Sequence, residues 1–117
     1  MAATLRKSER LCGQVAIAGL MERGKGGSAG CLRYKYLVNE GAEVSRILVS
    51  VPKRSFKRAV RRNLLKRRIR ESYRLQKELL PVAVDIAFVY TPREVLPYAD
   101  IYASMTGVLN AVAEKLR

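Results

Sequence analysis

The stretch Phe56–Arg74, which reads FKRAVRRNLLKRRIRESYR, decides how the rest of the chain can fold. From Phe56 to Leu79 no glycine or proline interrupts a run rich in helix-forming residues, so the sequence predicts one long helix over residues 56–79. Leu65 and Ile69 are one helical turn apart and fall on the same side, where we expect them to anchor the helix to a sheet. Most of the remaining surface of this helix is basic.

The positive charge of the chain is concentrated in this helix and just before it. Between Lys53 and Arg74 there are eleven basic residues and one acid, Glu71, so this segment carries +10 of the net charge of +13. A basic run is ordinarily a solvated face, but such a face usually carries Glu partners at i±4, and here they are almost absent. The density of arginine instead indicates a phosphate array as the partner. The candidate nucleic-acid-binding residues are Lys53, Arg54, Lys57, Arg58, Arg62, Asn63, Lys66, Arg67, Arg70 and Arg74.

Composition narrows further the classes of protein to which this chain could belong. A chain of 117 residues, 49% hydrophobic and 28% charged, is expected to form one domain spanning residues 1–117. The longest apolar stretch, Val82–Thr91, is too short to cross a bilayer, and Met1–Leu11 lacks the pattern of a secretory signal, so we expect a cytoplasmic protein. Cys12 and Cys31 lack metal-ligand spacing and the chain has no histidine, so both are interpreted as reduced thiols and no metal site is predicted.

The first half of the chain predicts a helix followed by strands. Apolar residues recur at roughly helical spacing over Val15–Met21, and the glycine-rich segment Gly24–Gly30 is expected to be a flexible loop. Leu32–Val38 alternates in the manner of a half-exposed strand, with its basic side chains on the wet face. Arg46–Val51 is a second apolar strand, and the intervening residues 39–41 resemble a turn, so the two strands are predicted to pair as a hairpin.

The second half predicts one more strand and one more helix. Val82–Tyr90 is apolar without alternation, which is typical of a strand covered on both faces. Behind Pro97, apolar residues recur at helical spacing and should pack on the sheet. These residues are Ile101, Met105, Val108, Leu109, Val112 and Leu116. The fold class is therefore an α/β (α+β) sandwich, a sheet of three or four strands covered by helices.

The residues Phe56–Arg74 closely resemble the signature helix of the bacterial ribonuclease P protein family. Four pairs match the family at fixed offsets: Ala59-Val60, Arg62-Asn63, Lys66-Arg67 and Arg70-Glu71. One departure is visible, because the usual Arg-Asn-Arg core reads Arg62-Asn63-Leu64 here. Arg61 and Arg68 are candidates to compensate for the missing arginine. Arg10-Leu11 looks like the start of the family's conserved region.

The resemblance implies a function and a site. A protein of this family would bind the catalytic RNA of ribonuclease P and the 5' leader of precursor tRNA, and would assist endonucleolytic removal of the leader. Catalysis and most Mg²⁺ binding would belong to the RNA, with a monomeric protein in the ribonucleoprotein. The family fold implies a left-handed β-α-β crossover around the signature helix. A leader-binding cleft would contain Ile17, Met21, Tyr34 and Tyr36, although the two tyrosines fit plain sheet core equally well.

The residues themselves give little support for catalysis by the protein alone. Such a nuclease needs a general base or grouped carboxylates that hold metal ions, and the chain has no histidine and ten scattered acids. Asp85 is the best single candidate, but an acid inside a strand is more often a structural hydrogen-bond acceptor. We therefore predict no catalytic residue. The alternative function is that of a ribosomal-type structural RNA-binding protein.

Overall fold

The computed structural model describes residues 9–11 and 13–116, so Cys12 and the segment preceding Glu9 lie outside the described residues. In chain order the elements are α1 (Gln14–Arg23), β1 (Lys25–Ala29), β2 (Leu32–Val38), β3 (Arg46–Ser50), α2 (Ala59–Gln76), β4 (Val84–Tyr90) and α3 (Tyr98–Lys115). A short 3-10 helix, Lys77–Leu79, continues α2. The four strands form one sheet in the order β1-β2-β4-β3, which confirms the predicted class of helices on a small sheet.

The two faces of the sheet are covered unequally. On one face α2 and α3 enclose the main core, which includes Leu65 and Ile69 of α2 and Phe88 of β4. On the other face α1 covers only part of the sheet, where Leu20 packs with Ala87 of β4. Strand β4 therefore has apolar contacts on both sides, and the prediction of a strand covered on both faces is confirmed.

The predicted hairpin between the second and third strands is wrong. Residues Glu40 and Gly41 do form a turn, but β4 lies between β2 and β3. It pairs antiparallel with β2 and parallel with β3. The physical reason is that β4 is apolar on both faces and gains most by occupying the centre of the sheet. Because β3 and β4 are parallel neighbours, α2 forms the crossover between them, and the left hand of that crossover stays a prediction from the resemblance.

The expected loop over Gly24–Gly30 is also wrong, since most of it is the edge strand β1. Gly27 pairs with Tyr34 of β2, and a Cβ atom at Gly27 would lie 2.5 Å from the Tyr34 hydroxyl oxygen. Gly27 therefore leaves space for the Tyr34 ring and is part of a regular strand, not of a flexible loop. Gly30 does serve as a turn residue, with φ of +57° between β1 and β2.

Two helix predictions need adjustment and one is confirmed. Helix α2 begins at Ala59 instead of Phe56, because Phe56 is buried in the core and packs against Tyr90 with ring centroids 5.9 Å apart. In α1 only Leu20 is buried, and Val15 is 89% exposed. Helix α3 follows Pro97 and buries the predicted apolar side chains, with Leu116 partly buried. No helix of the described residues is both long and apolar enough to cross a membrane.

Candidate nucleic-acid interface

Helix α2 has one buried face and a broad basic surface. Its buried residues Leu65, Ile69 and Tyr73 recur at helical spacing and face the sheet and α3. Asn63 and Arg67 are exposed, and Lys66 and Arg70 are half-buried on one flank of the helix. The sequence therefore places a continuous cationic surface on the side that does not pack.

The loop before α2, residues 52–58, adds exposed cations to this surface. The amides of Ser55 and Phe56 both donate to the Pro52 carbonyl, which makes the loop turn tightly. Lys53, Arg54, Lys57 and Arg58 are all exposed there. The loop and α2 thus form one cationic surface, called here the α2 surface. It is defined by the exposed or half-exposed cations of residues 53–74.

Arg62 has a structural task within the α2 surface. One of its terminal nitrogens, Nη1, donates to the carbonyl oxygens of Phe56 at 2.6 Å and Lys57 at 3.0 Å. The side chain therefore ties the helix to the loop that precedes it. Arg62 was also predicted to contact a phosphate. Because one edge of its guanidinium already binds these carbonyls, the other edge would have to make that contact.

The other end of the helix holds an ion pair. Arg74 Nε donates to Glu71 Oε2 at 3.0 Å, and a second bond joins Arg74 Nη2 to Glu71 Oε1. This hydrogen bonding lowers the pKa of Glu71 below its usual value and raises that of Arg74. The one acid of the basic segment thus pairs with Arg74, whereas Lys66, Arg67 and Arg70 form no ion pair with a described residue.

Leu64 stands where the resembled family usually has a third arginine. Arg61 and Arg68, the two residues that could compensate for it, lie in different surroundings. Arg61 is exposed on α2. Arg68 is half-buried and its Nη1 donates to the Leu96 carbonyl at 3.0 Å, which ties α2 to the segment before α3. Of the two, Arg61 is the one whose side chain the structure leaves exposed to solvent.

A cleft of about 750 Å³ lies beside α1 on the partly covered face of the sheet. Its lining includes Met21 of α1, Arg33, Tyr34 and Lys35 of β2, and Val89 of β4. Lys35 Nζ donates to the Met21 carbonyl, so this lysine joins the end of α1 to the sheet. The cleft combines an apolar floor with cationic side chains, a composition suited to a single-stranded polyanion.

The four residues predicted for the leader do not form one surface. Met21 and Tyr34 line the cleft, whereas Ile17 packs against the sheet beneath α1. Tyr34 and Tyr36 are both buried in the main core with ring centroids 6.4 Å apart. Of the two interpretations left open for the tyrosines, sheet core describes the position of both rings.

Two basic residues of the cleft were missed as site residues. Arg33 and Lys35 alternate with the buried tyrosines along β2 and point toward the α1 side. The signal was present in the sequence, because the period-two pattern already placed them on a wet, basic face. The tyrosines predicted as site residues alternate with them along β2, and their rings lie in the main core.

The buried acids are bound by cations. Asp85 accepts two hydrogen bonds from Arg46, at 2.8 and 2.7 Å, and a third from Asn39 at 3.2 Å. Glu9 accepts from Lys77 Nζ at 3.0 Å. The expectation that Asp85 is a structural acceptor is confirmed. Within residues 9–11 and 13–116, no three acidic or cysteine side chains come together in a way that could hold a metal ion.

The fold is a mixed four-stranded sheet with one densely cationic helix packed on it. These features define a class of small basic proteins whose surface is suited to bind a polyanion. The family model of ribonuclease P matches residues 5–113, nearly the whole chain. The chain therefore belongs to the ribonuclease P protein family.

Individual relatives agree with this membership. The chain is 36% identical over 118 aligned positions to the ribonuclease P protein component from two strains of Porphyromonas gingivalis, covering 93% of this chain and 86% of the relative. The RNase P protein of Staphylococcus aureus has a similar fold, with a TM-score of 0.79 at 24% identity over 90% of this chain and 95% of that one. The Thermotoga maritima protein gives 0.77 at 24% identity over 88% and 96%.

Proposed function

We propose that this protein is the protein subunit of ribonuclease P, which binds the catalytic RNA and the 5' leader of precursor tRNA and assists removal of the leader. The observation that carries the proposal is the α2 surface, where the segment from Lys53 to Arg74 has a net charge of +10. RNA carries a regular array of phosphates that such a surface can neutralise, with release of counterions. Family membership then selects the particular RNA.

The α2 surface and the cleft beside α1 are separate cationic regions, so each can bind a different RNA segment. The α2 surface contacts the catalytic RNA, and the cleft beside α1 receives the single-stranded leader. Arg33 and Lys35 neutralise leader phosphates, and Met21 gives an apolar surface for bases. Because the tyrosine rings are largely buried, base stacking contributes less here than the sequence suggested.

Mg²⁺ enters the proposal through the RNA. The described acids are paired with cations or scattered, so this part of the protein does not form a set of oxygen ligands for the ion. When bound by the RNA, Mg²⁺ supplies the means to activate water and stabilise the leaving oxygen. The protein contributes by reducing phosphate repulsion and holding the leader. We propose that it works in the cytoplasm as a monomer within the ribonucleoprotein.

The test is cleavage of precursor tRNA by the ribonuclease P RNA of the same organism at low Mg²⁺, with and without the protein. We expect protein-dependent cleavage, with the product's 5' end mapping to the mature tRNA terminus. If a folded sample neither stimulates cleavage nor binds this RNA, the proposed function is wrong, and a ribosomal-type RNA-binding role would be tested next by co-sedimentation with ribosomal subunits.

The contribution of individual cations can be measured in the same system. Lys66→Ala removes a cation without a described hydrogen bond and should reduce the salt slope of RNA binding by about one unit. Arg93→Ala removes the same charge from the exposed loop before α3 and serves as the matched control. An equal effect of both variants would mean that net charge, and not the α2 surface, determines binding.

A further inference from the structure

The described segment before α1, residues 9–11, is docked on the edge of the sheet at β3. Arg10 forms a parallel bridge with Ile47 of β3, and the Leu11 amide donates to the Ile47 carbonyl at 2.7 Å. Fixing three residues costs more conformational entropy than one backbone hydrogen bond returns. The side chains of Glu9 and Leu11, on either side of Arg10, must therefore supply most of the free energy that holds this segment.

Glu9 ties the segment to the end of α2. The residue is 4% exposed, and each of its carboxylate oxygens lies 3.0 Å from Nζ of Lys77, the residue that directly follows α2. A buried ion pair stabilises little more than an apolar contact of the same size, because both charges lose their hydration. It is more selective in its geometry, so the main effect of this pair is to fix where the segment lies.

Leu11 transmits that position to α1. Its buried side chain packs with Leu20 of α1 and Ala87 of β4 in a small cluster apart from the main core. Only two residues separate Leu11 from Gln14, the first residue of α1. Because Leu20 is the one buried residue of α1, the helix makes few other contacts that could fix it. The placement of α1 thus depends on where residues 9–11 are held.

The far end of α1 forms one wall of the cleft beside it. Met21 lines the cleft, and its carbonyl accepts a hydrogen bond from Nζ of Lys35 on β2. A displacement of α1 would therefore move Met21, disturb Lys35 and change the width of the cleft. Glu9 does not line the cleft and instead borders a separate cavity of about 260 Å³ with Tyr73 and Lys77. Any effect of Glu9 on a ligand in the cleft must pass through α1.

We propose that Glu9 is a positioning residue for the leader of precursor tRNA. Paired with Lys77, it holds residues 9–11 in one register and so sets the position of α1 and the width of the cleft. The proposal rests on the proposed function, in which the leader occupies this cleft, and adds a residue that acts without contacting RNA.

The test removes the ion pair from either side in full-length protein, as Glu9→Gln or Lys77→Met. Each replacement keeps the approximate size of the side chain and removes its charge. Glu78→Gln makes the same chemical change at an exposed acid next to Lys77 and is the charge control. Ile101→Val lowers stability by trimming the main core under α3, away from residues 9–11, and is the stability control.

Hydrogen exchange of the free protein measures the docking directly. In Glu9→Gln and Lys77→Met, the Leu11 amide and the amides of α1 should exchange several-fold faster, whereas the amides of α3 should keep their wild-type protection. Wild-type protection of Leu11 and α1 in both variants would overturn the proposal, because it would mean that the ion pair does not hold the segment.

The assembled holoenzyme measures the consequence for the leader. Both variants should raise KM for precursor tRNA roughly three- to tenfold, with kcat, the binding of mature tRNA and the affinity for the catalytic RNA unchanged. Glu9→Gln raises the net charge and Lys77→Met lowers it, so a purely electrostatic effect would shift their KM values in opposite directions. Glu78→Gln and Ile101→Val should keep the wild-type KM.

Three results in the holoenzyme would also overturn the proposal. They are opposite shifts of KM in the two variants, an equal rise of KM in Ile101→Val, and an unchanged KM despite faster exchange of α1. In each case, wild-type protein that stimulates correct cleavage leaves the proposed function intact. Wild-type protein that does not stimulate cleavage contradicts the proposed function itself, and the exchange data then still decide whether Glu9 holds α1.

Discussion

Replacing Asp85 with alanine should destabilise the protein strongly while leaving the chemistry of the folded complex intact. Asp85 lies in the central strand β4 and accepts a two-pronged contact from Arg46, with N–O distances of 2.8 and 2.7 Å. The Asp85 side chain is 9% exposed and that of Arg46 is 33% exposed. The substitution therefore leaves a guanidinium partly buried without its carboxylate.

The magnitude follows from that burial. Removing one partner of a fully buried pair costs about 3–5 kcal/mol, mainly because the other charge is left unpaired. One third of the Arg46 side chain reaches solvent, so its charge can be partly rehydrated, which reduces the expected loss to about 2–3 kcal/mol. For a domain of this size the melting temperature should fall by about 8–12 °C.

Urea unfolding of Asp85→Ala, Arg46→Ala and the double variant measures this loss and the coupling between the two residues. Glu94→Ala, which removes an exposed acid from the loop after β4, is the control and should change the unfolding free energy by less than about 0.5 kcal/mol. At a temperature where Asp85→Ala is folded, saturating protein should still support cleavage at the mature tRNA terminus. A stable variant, or a folded variant that abolishes cleavage, would refute the assignment of Asp85 to structure alone.

Three further predictions concern packing, pH and the α2 surface. Gly27→Ala should cost about 1–3 kcal/mol in a thermal melt, because its Cβ would meet the buried Tyr34 ring 2.5 Å from the hydroxyl oxygen. Burial and the charge of Glu9 raise the pKa of Tyr73 to about 12, so folding keeps this phenol protonated. Stability from this group is complete below pH 10 and is lost as the pH rises toward 12. Relative to Tyr73→Phe, the wild type should lose about 1.4 kcal/mol of unfolding free energy between pH 9 and 11. Arg62→Ala should lower the melting temperature as well as RNA affinity, since Arg62 binds two loop carbonyls; unchanged stability would remove its structural role.

The sequence predicts this fold well where the pattern itself reflects burial. Strand β4 is apolar on both sides and α3 is apolar on one, and each occupies the environment that its pattern indicates. The pairing of strands was not predictable in the same way. Nothing local to β2 or β3 shows that a strand from much later in the chain will insert between them, since that choice depends on the total apolar surface buried.

The sequence predicts one part of the candidate site, the α2 surface, but not the contacts made by its individual residues. The α2 surface follows from charge density, which is a local property of the sequence. The hydrogen bonds of Arg62 could not be predicted, because its two acceptors are backbone carbonyls of the preceding loop. The docking of residues 9–11 on Ile47 and Lys77 joins segments that are far apart in the chain, and no spacing rule relates them.

The glycine strand β1 also affects how the protein behaves before it meets its RNA. The opposite edge of the sheet, at β3, is partly covered by Arg10, whereas no strand among the described residues pairs with the outer edge of β1. A second molecule that added a strand there would gain backbone hydrogen bonds but would bury almost no apolar side chain, since Gly26 and Gly27 have none. Lys25 adds charge repulsion between copies. The edge that could nucleate aggregation is thus a poor template for it, and the net charge of +13 adds repulsion between copies.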